Sequence, residues 1–370
     1  MLIFGIETSC DETAAAIVED GVNEICSVVS SSKEFHEKTG GIVPEVAARK
    51  QVESIVPVIA ECFEKYKEIK GYESIEHCYT DIDAVAVTIG PGLLGSLVVG
   101  VEAAKSLAFF LNKPLIPVNH LIGHLYGNYL AEGGVEKNIA FPAVALLVSG
   151  GHTDLILIKN HGDFEYIGGT LDDAVGEAYD KVARLLGLSQ YLGGALLSKK
   201  AQECKVNKIK GKLPRPMIDQ DNFDFSFSGL KTATRRLIEN EKISTEVIAR
   251  EFEDAVVEVL TKKTLKAVKK FSVKSLLMGG GVSANLHLRE TLGRECEKVN
   301  VKFYAPPLRL CTDNAVYIAS AAYFMYIKKP HSSSKGNPGD SILGSAMGHN
   351  EQLNIDFKDI QPNPSLGIMG

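Results

Sequence analysis

The chain has 370 residues, 45% of them hydrophobic, and a formal net charge of −6. That length and apolar content suffice for two ordinary domains with their own cores, and the acidic balance argues against a protein that coats nucleic acid non-specifically. The seven cysteines are odd in number, scattered and never spaced C-x-x-C, which argues against a disulfide framework or a zinc ribbon and fits free thiols in a reducing compartment.

No apolar run approaches the roughly 20 residues of a membrane-spanning helix, and Met1–Ile6 lacks the charged start of a signal peptide, so a cytoplasmic protein is expected. Residues 2–18 read as a hairpin: apolar Leu2–Ile6, a polar turn from Glu7 to Thr13, then apolar Ala14–Val18. Small hydroxyls and acids in that turn fit a phosphate and its metal, or a plain polar turn. Residues 41–70 form a helix with Pro44 near its start. A buried strand over 84–89 then meets Gly90-Pro91-Gly92 and a long apolar helix to about Leu111. Strand, glycine turn and helix can aim backbone N–H groups at an anion, but the GK[ST] of a P-loop is missing and a tight structural turn fits equally.

Pro114–Val118 reads as a short strand ending at Asn119, a helix N-cap. His120 and His124 follow, four apart and so on one helix face, an arrangement that suits a metal ion or two ordinary helix-face histidines. Val144–Val148, the turn Ser149–Thr153 and Asp154–Ile158 repeat the opening hairpin, which predicts a duplicated α/β core clamping a ligand between two lobes. Gly150 and Gly151 leave room for phosphate oxygens against the backbone. Residues 171–188 predict an amphipathic helix on which Asp180 and Lys181 are either functional or a solvated charge pair.

Basic residues gather at Lys199, Lys200, Lys205, Lys208, Lys210, Lys212 and Arg215, at Arg235 and Arg236, and over Lys262–Lys274, each a candidate phosphate-backbone surface or a solvated face. Phe225–Lys231 leads into the helix holding Arg235. The strand Ser275–Met278 meets three glycines and Asn285, leaving room for a flat ring or a ribose. Asp313 is expected in the first turn of the last good helix, where complementing the helix dipole is its alternative role. The tail from Pro330 reads as loosely ordered.

Six blocks in order carry a resemblance: Gly5–Thr13, His120-x3-His124, Leu147–Thr153, Phe225–Thr232, Gly279–Asn285 and Cys311–Ala315. Together they resemble the signature blocks of the bacterial tRNA threonylcarbamoyladenosine transferase family, TsaD. The resemblance implies an α/β, duplicated actin/Hsp70-like ATPase fold with two lobes around a central cleft. It implies transfer of threonylcarbamoyl from threonylcarbamoyl-AMP to N6 of adenosine 37 in tRNAs reading codons that begin with A. It places the metal ligands on His120, His124 and Asp313, with one divalent ion per subunit, ferrous iron ahead of zinc. Nucleotide and substrate contacts fall on Leu147, Val148, Ser149, Gly150, Gly151, Asp180, Gly193 and Asn285. Asp11 or Glu12 is the expected polar partner for the N6 proton. The implied partners are tRNA, the inactive paralogue TsaB, the P-loop ATPase TsaE and a synthase that supplies the adenylate.

The expected lobes are residues 1–132 and 133–345, with a helical insertion around 172–245 and a polar tail over 346–370. Asp313 would then come from the second lobe to meet histidines of the first. Gln51 stands where the family often has histidine. A metal-dependent endopeptidase, a description once attached to this family, is the competing reading. It lacks the glutamate of His-Glu-x-x-His, since position 121 is Leu. A non-catalytic scaffold is a third reading, and loss of the metal ligands would favour it.

Overall fold

The computed structural model describes residues 1–130, 138–205, 209–327 and 357–369. In chain order the first elements are β1 (Leu2–Glu7), β2 (Glu12–Glu19), β3 (Asn23–Ser31), α1 (Lys33–Thr39), α2 (Pro44–Lys70), α3 (Ile75–Asp81), β4 (Ala84–Gly90), α4 (Leu94–Leu111), β5 (Leu115–Asn119) and α5 (His120–Tyr126). There follow β6 (Ala143–Val148), β7 (Thr153–Asn160), β8 (Asp163–Gly169), α6 (Val175–Leu185), α7 (Gly194–Glu203), α8 (Ser228–Asn240) and α9 (Thr245–Lys270). The last are β9 (Ser275–Gly279), α10 (Leu286–Lys298), β10 (Lys302–Tyr304) and α11 (Val316–Ala322).

The chain divides into two compact units: Met1–Asn138 with His161–Asp163 and Thr312–Gly370, and Ile139–Asn160 with Phe164–Cys311. Each holds a five-stranded sheet, ordered β3-β2-β1-β4-β5 in the first and β10-β9-β6-β7-β8 in the second. Strand for strand the two orders match, with an antiparallel hairpin (β1–β2, β6–β7) beside parallel strands (β4 and β5, β9 and β10). The duplication expected from the repeated hairpins is present.

In the first unit the central strands are nearly all apolar because both faces are covered. On one side, α2 and α4 pack with Phe4, Ile6, Val85, Val87, Phe63 and Val101 in a shared core. Proline in the first turn opens α2, and Gly71, at φ +68°, closes it in the left-handed conformation that a side chain disfavours. By length and composition alone α4 could cross a membrane, with a mean hydropathy of 1.6, but one face of it is built into this core. Close to β1 lies α11, where a Cβ on Gly5 would meet the Ala315 carbonyl oxygen at 2.5 Å.

Several expectations change. Thr312 onward, and so Asp313, belongs to the first unit rather than to a lobe running to 345. Asp313 also sits ahead of α11, which begins at Val316. The expected helix over 171–188 starts only at Val175. Asp172 remains outside it and accepts hydrogen bonds from Ser226 Oγ (2.6 Å), Phe227 N (2.8 Å) and Ser228 Oγ (2.7 Å), thereby capping α8. Within the tail, residues 357–369 dock on the first unit with Ile360 and Ile368 buried, while 330–356 lie outside the described residues, as does Lys208. Much of the basic stretch is internally neutralised: Arg215 pairs with buried Glu251 and with Glu258, Lys212 with Glu241, Lys262 with Asp219 and Lys266 with Asp221.

Candidate metal centre and nucleotide turn

The metal candidate is built at the junction of β5 and α5. Asn119 ends the strand, and its Oδ1 accepts from Leu121 N (2.9 Å) and Ile122 N (3.4 Å), starting the helix one residue before the first histidine is needed. One turn apart, the His120 and His124 rings stand 4.7 Å from centroid to centroid. Asn314, not Asp313, caps α11, accepting from Val316 N and Tyr317 N. Asp313 is thereby released to face the histidines, with Oδ1 3.6 Å from His120 Nε2 and 3.4 Å from His124 Nε2.

One donor atom from each of the three residues lies within 4.8 Å of the others. Two donors each about 2.1 Å from a shared tetrahedral ion stand about 3.4 Å apart, so the two separations from Asp313 fit a common cation. The carboxylate supplies the negative charge such a cation needs. Burial opposes ionisation of Asp313, but the two imidazoles outweigh it and hold the carboxylate down to about 2. Burial likewise lowers the His124 pKa. For His120, burial is outweighed by Glu7 and Asp313, which raise it to about 9.

Glu7 is the residue that sequence reasoning passed over. Fully buried at the end of β1, it accepts from Ser9 N and Thr88 Oγ1, and its Oε2 lies 3.0 Å from His120 Nδ1. In neutral His120 this contact selects the Nδ1–H tautomer, leaving the Nε2 lone pair on the side of Asp313. The available signal was an acid closing an otherwise apolar strand. Gln51 was singled out only as a departure, yet from α2 its Nε2 donates to the Cys10 carbonyl (2.8 Å) and to those of Thr8 and Glu12 (3.2 Å each), pinning the acidic turn. In that turn, burial followed by Asp11 and Asp313 pushes the Glu12 carboxyl up to about 10. Asp11 Oδ2 is buried without a hydrogen-bond partner among the described residues.

The second unit carries the other predicted residues. After β6, Ser149 accepts from Gly176 N at the start of α6, and a Cβ on Gly280 would meet the Val148 carbonyl oxygen at 2.4 Å. The turn Leu147–Gly151, the N-terminus of α6 and the glycines after β9 are thus brought together, with open space beside Gly150 and Gly151. Asp180 Oδ1 accepts from Gly194 N (2.9 Å), tying α6 to α7, and Lys181 pairs with Asp173 and Glu177 rather than with Asp180. Gly193 must be small, since its Cβ would stand 2.4 Å from that of Ala183. Asn285 caps α10 through Oδ1, and its Nδ2 donates to Glu253, Ser198 and Tyr179.

Among solved structures, the chain resembles full-length HypF in its phosphate- and nucleotide-bound form (TM-score 0.55, 14% identity, 87% of this chain and 46% of that one). It also resembles T. kodakarensis HypF (TM-score 0.56, 14% identity, 88% and 48%). The chain spans about half the length of these structures, and at this identity the likeness shows the fold alone. The matching sheets and this likeness define an α/β two-lobe protein of the actin/Hsp70-like fold. Sequence comparison narrows this class. The family model described as "tRNA N6-adenosine threonylcarbamoyltransferase" matches residues 24–320. Proteins of that name from Bacillus subtilis (strain 168) and Syntrophomonas wolfei are 47% and 44% identical, over 89% and 92% of this chain and 91% and 97% of theirs. The chain belongs to the tRNA N6-adenosine threonylcarbamoyltransferase (TsaD) family, and is an acyltransferase of tRNA modification.

Proposed function

We propose that this transferase takes threonylcarbamoyl from threonylcarbamoyl-AMP and delivers it to N6 of adenosine 37 in tRNAs reading codons that begin with A. The observation that carries the reading is the convergence of His120, His124 and Asp313 within ligating distance of one point. Two imidazoles and a carboxylate with open positions suit ferrous iron, with zinc second. When bound, such a cation stabilises negative charge on substrate oxygens.

The chain's own residues do the rest. Gly150 and Gly151 in the Leu147–Gly151 turn leave room for the phosphate against the backbone, while Asp180, Gly193 and Asn285 border the nucleoside. The N6 lone pair attacks the carbamoyl carbon, the C–O bond to the phosphate breaks, and AMP leaves with that electron pair. N6 must then lose a proton. Asp11 or Glu12, in the acidic turn after β1, is the acceptor. The anticodon loop presents its base unpaired, so no duplex has to be melted.

TsaB, TsaE and the adenylate synthase complete the proposed system, in the cytoplasm. α2 and α4 expose the apolar side chains of Val52, Val56, Val98, Phe109 and Phe110, which suit contact with TsaB. The test is reconstitution with these partners, tRNA, threonine, bicarbonate and ATP, read by nucleoside mass spectrometry. His120→Ala and Asp313→Ala should abolish N6-threonylcarbamoyladenosine. Full modification by either variant in metal-free buffer rejects the metal role, and chelator-sensitive casein cleavage by the parent chain would revive the endopeptidase reading.

A further inference from the structure

The turn Gly90-Pro91-Gly92 was a candidate anion site, but its amide is already engaged. Gly92 N donates to the Pro364 carbonyl (3.2 Å), and Asn363 N donates to the Ile89 carbonyl (2.7 Å). The tail therefore lies along the end of β4. A side chain at position 90 would block it, because a Cβ there would fall 1.9 Å from the Asn363 carbonyl oxygen, and Gly90 has φ +152°. Ile360 is buried in the core of the first unit, and Ile368 is also buried.

Two routes lead from this tail to the metal candidate. Asn119 uses both ends of its amide: Oδ1 caps the helix of His120 and His124, and Nδ2 donates to the Gly367 carbonyl (2.8 Å). An amide fixed at its nitrogen presents its oxygen in one orientation only, so the tail sets the cap. By the second route, the turn that receives Pro364 passes the contact on through Leu93 N, which donates to the Ser9 carbonyl (2.8 Å), and Ser9 Oγ lies 3.2 Å from His120 Nδ1. Both routes end on His120.

We propose that residues 357–369 are a positioning strap for the metal centre, holding α5 and His120 in ligating geometry although they lie beyond the residues matched by the family model. The inference rests on the metal reading of the centre. Strap residues act through Asn119 and Ser9 rather than by ligating the cation themselves.

The test titrates Co²⁺, read by its visible d–d absorption, into the full chain, into a chain ending at residue 356, and into full-length Gly90→Ala, which displaces the strap without deleting it. Transfer to tRNA is measured in parallel with the reconstituted partners. The truncated chain and Gly90→Ala should each lose about tenfold or more in Co²⁺ affinity, the range seen when outer partners of a metal ligand are removed. A peptide of residues 357–370 added to the truncated chain should restore both affinity and transfer. Unchanged affinity and transfer in the truncated chain, or in a folded Gly90→Ala, overturns the strap. A full-length chain that modifies tRNA yet binds no Co²⁺ overturns the metal reading, and the strap with it.

Discussion

At position 7 the sequence places an acid at the end of a strand whose other residues are apolar, and the structure shows what it does there. Buried Glu7 shares its carboxylate among Ser9 N, Thr88 Oγ1 and His120 Nδ1. Glu7→Gln keeps the size but removes the charge that makes His120 a stronger ligand, so Co²⁺ affinity should fall about tenfold by titration, with little change in the far-UV spectrum. Another acid, Asp154 on β7, has no such network among the described residues, and burial raises its pKa from 3.8 to about 6. A carboxyl with a raised folded pKa holds its proton more tightly in the native than in the unfolded chain. Its effect is therefore absent below pH 4, destabilising as pH rises from about 4 to about 6, and constant above. Asp154→Asn should match the parent in urea unfolding at pH 4 and exceed it by roughly 1–2 kcal/mol at pH 7.5, after allowance for partial exposure.

Among the elements, α5 and α11 decide the site, and neither is long enough to stand alone. They are held by tertiary contact. A Cβ at Gly123 would meet the Tyr317 ring at 2.7 Å, and one at Gly5 would meet the Ala315 carbonyl oxygen at 2.5 Å and Ala319 Cβ at 3.1 Å. Gly5→Ala should therefore push α11 and the loop carrying Asp313 away from β1. We expect a loss of about 1–3 kcal/mol in chemical denaturation, the usual cost of overpacking, together with weaker Co²⁺ binding. Stability loss with unchanged affinity would separate packing from the centre. These elements also show why Asp313 was misplaced by sequence alone. Asp and Asn are both good caps, and only the folded structure assigns the cap to Asn314 and releases its neighbour.

Across the whole molecule, six of the seven cysteines are buried and Cys10 is partly so, its thiol pushed up by burial and by Asp313. Ellman's reagent should find less than about one reactive thiol in the native chain and all seven in guanidinium. Two sheets of matching order arise from two hairpins that the sequence displays openly, because continuous apolar runs and small-residue turns are local properties. The pairing of His120 with His124 is local too, since a helix fixes which residues share a face. The third ligand was not readable in this way. Asp313 was assigned to the second lobe because it follows β10 in the chain, but α11 returns to β1 and β4 and carries it into the first unit. The tail looked loosely ordered because most of its letters are polar and its anchors are two isolated isoleucines and backbone hydrogen bonds, which no periodic side-chain pattern reports. The sequence by itself determined the two hairpins, the strands β4, β5 and β9, most helices, the histidine pair and the family, but not β3, β8 or β10. The tertiary structure alone decided that Glu7, Asp313 and the tail meet at those histidines, because contacts between distant residues depend on how strands pair and helices pack rather than on local periodicity.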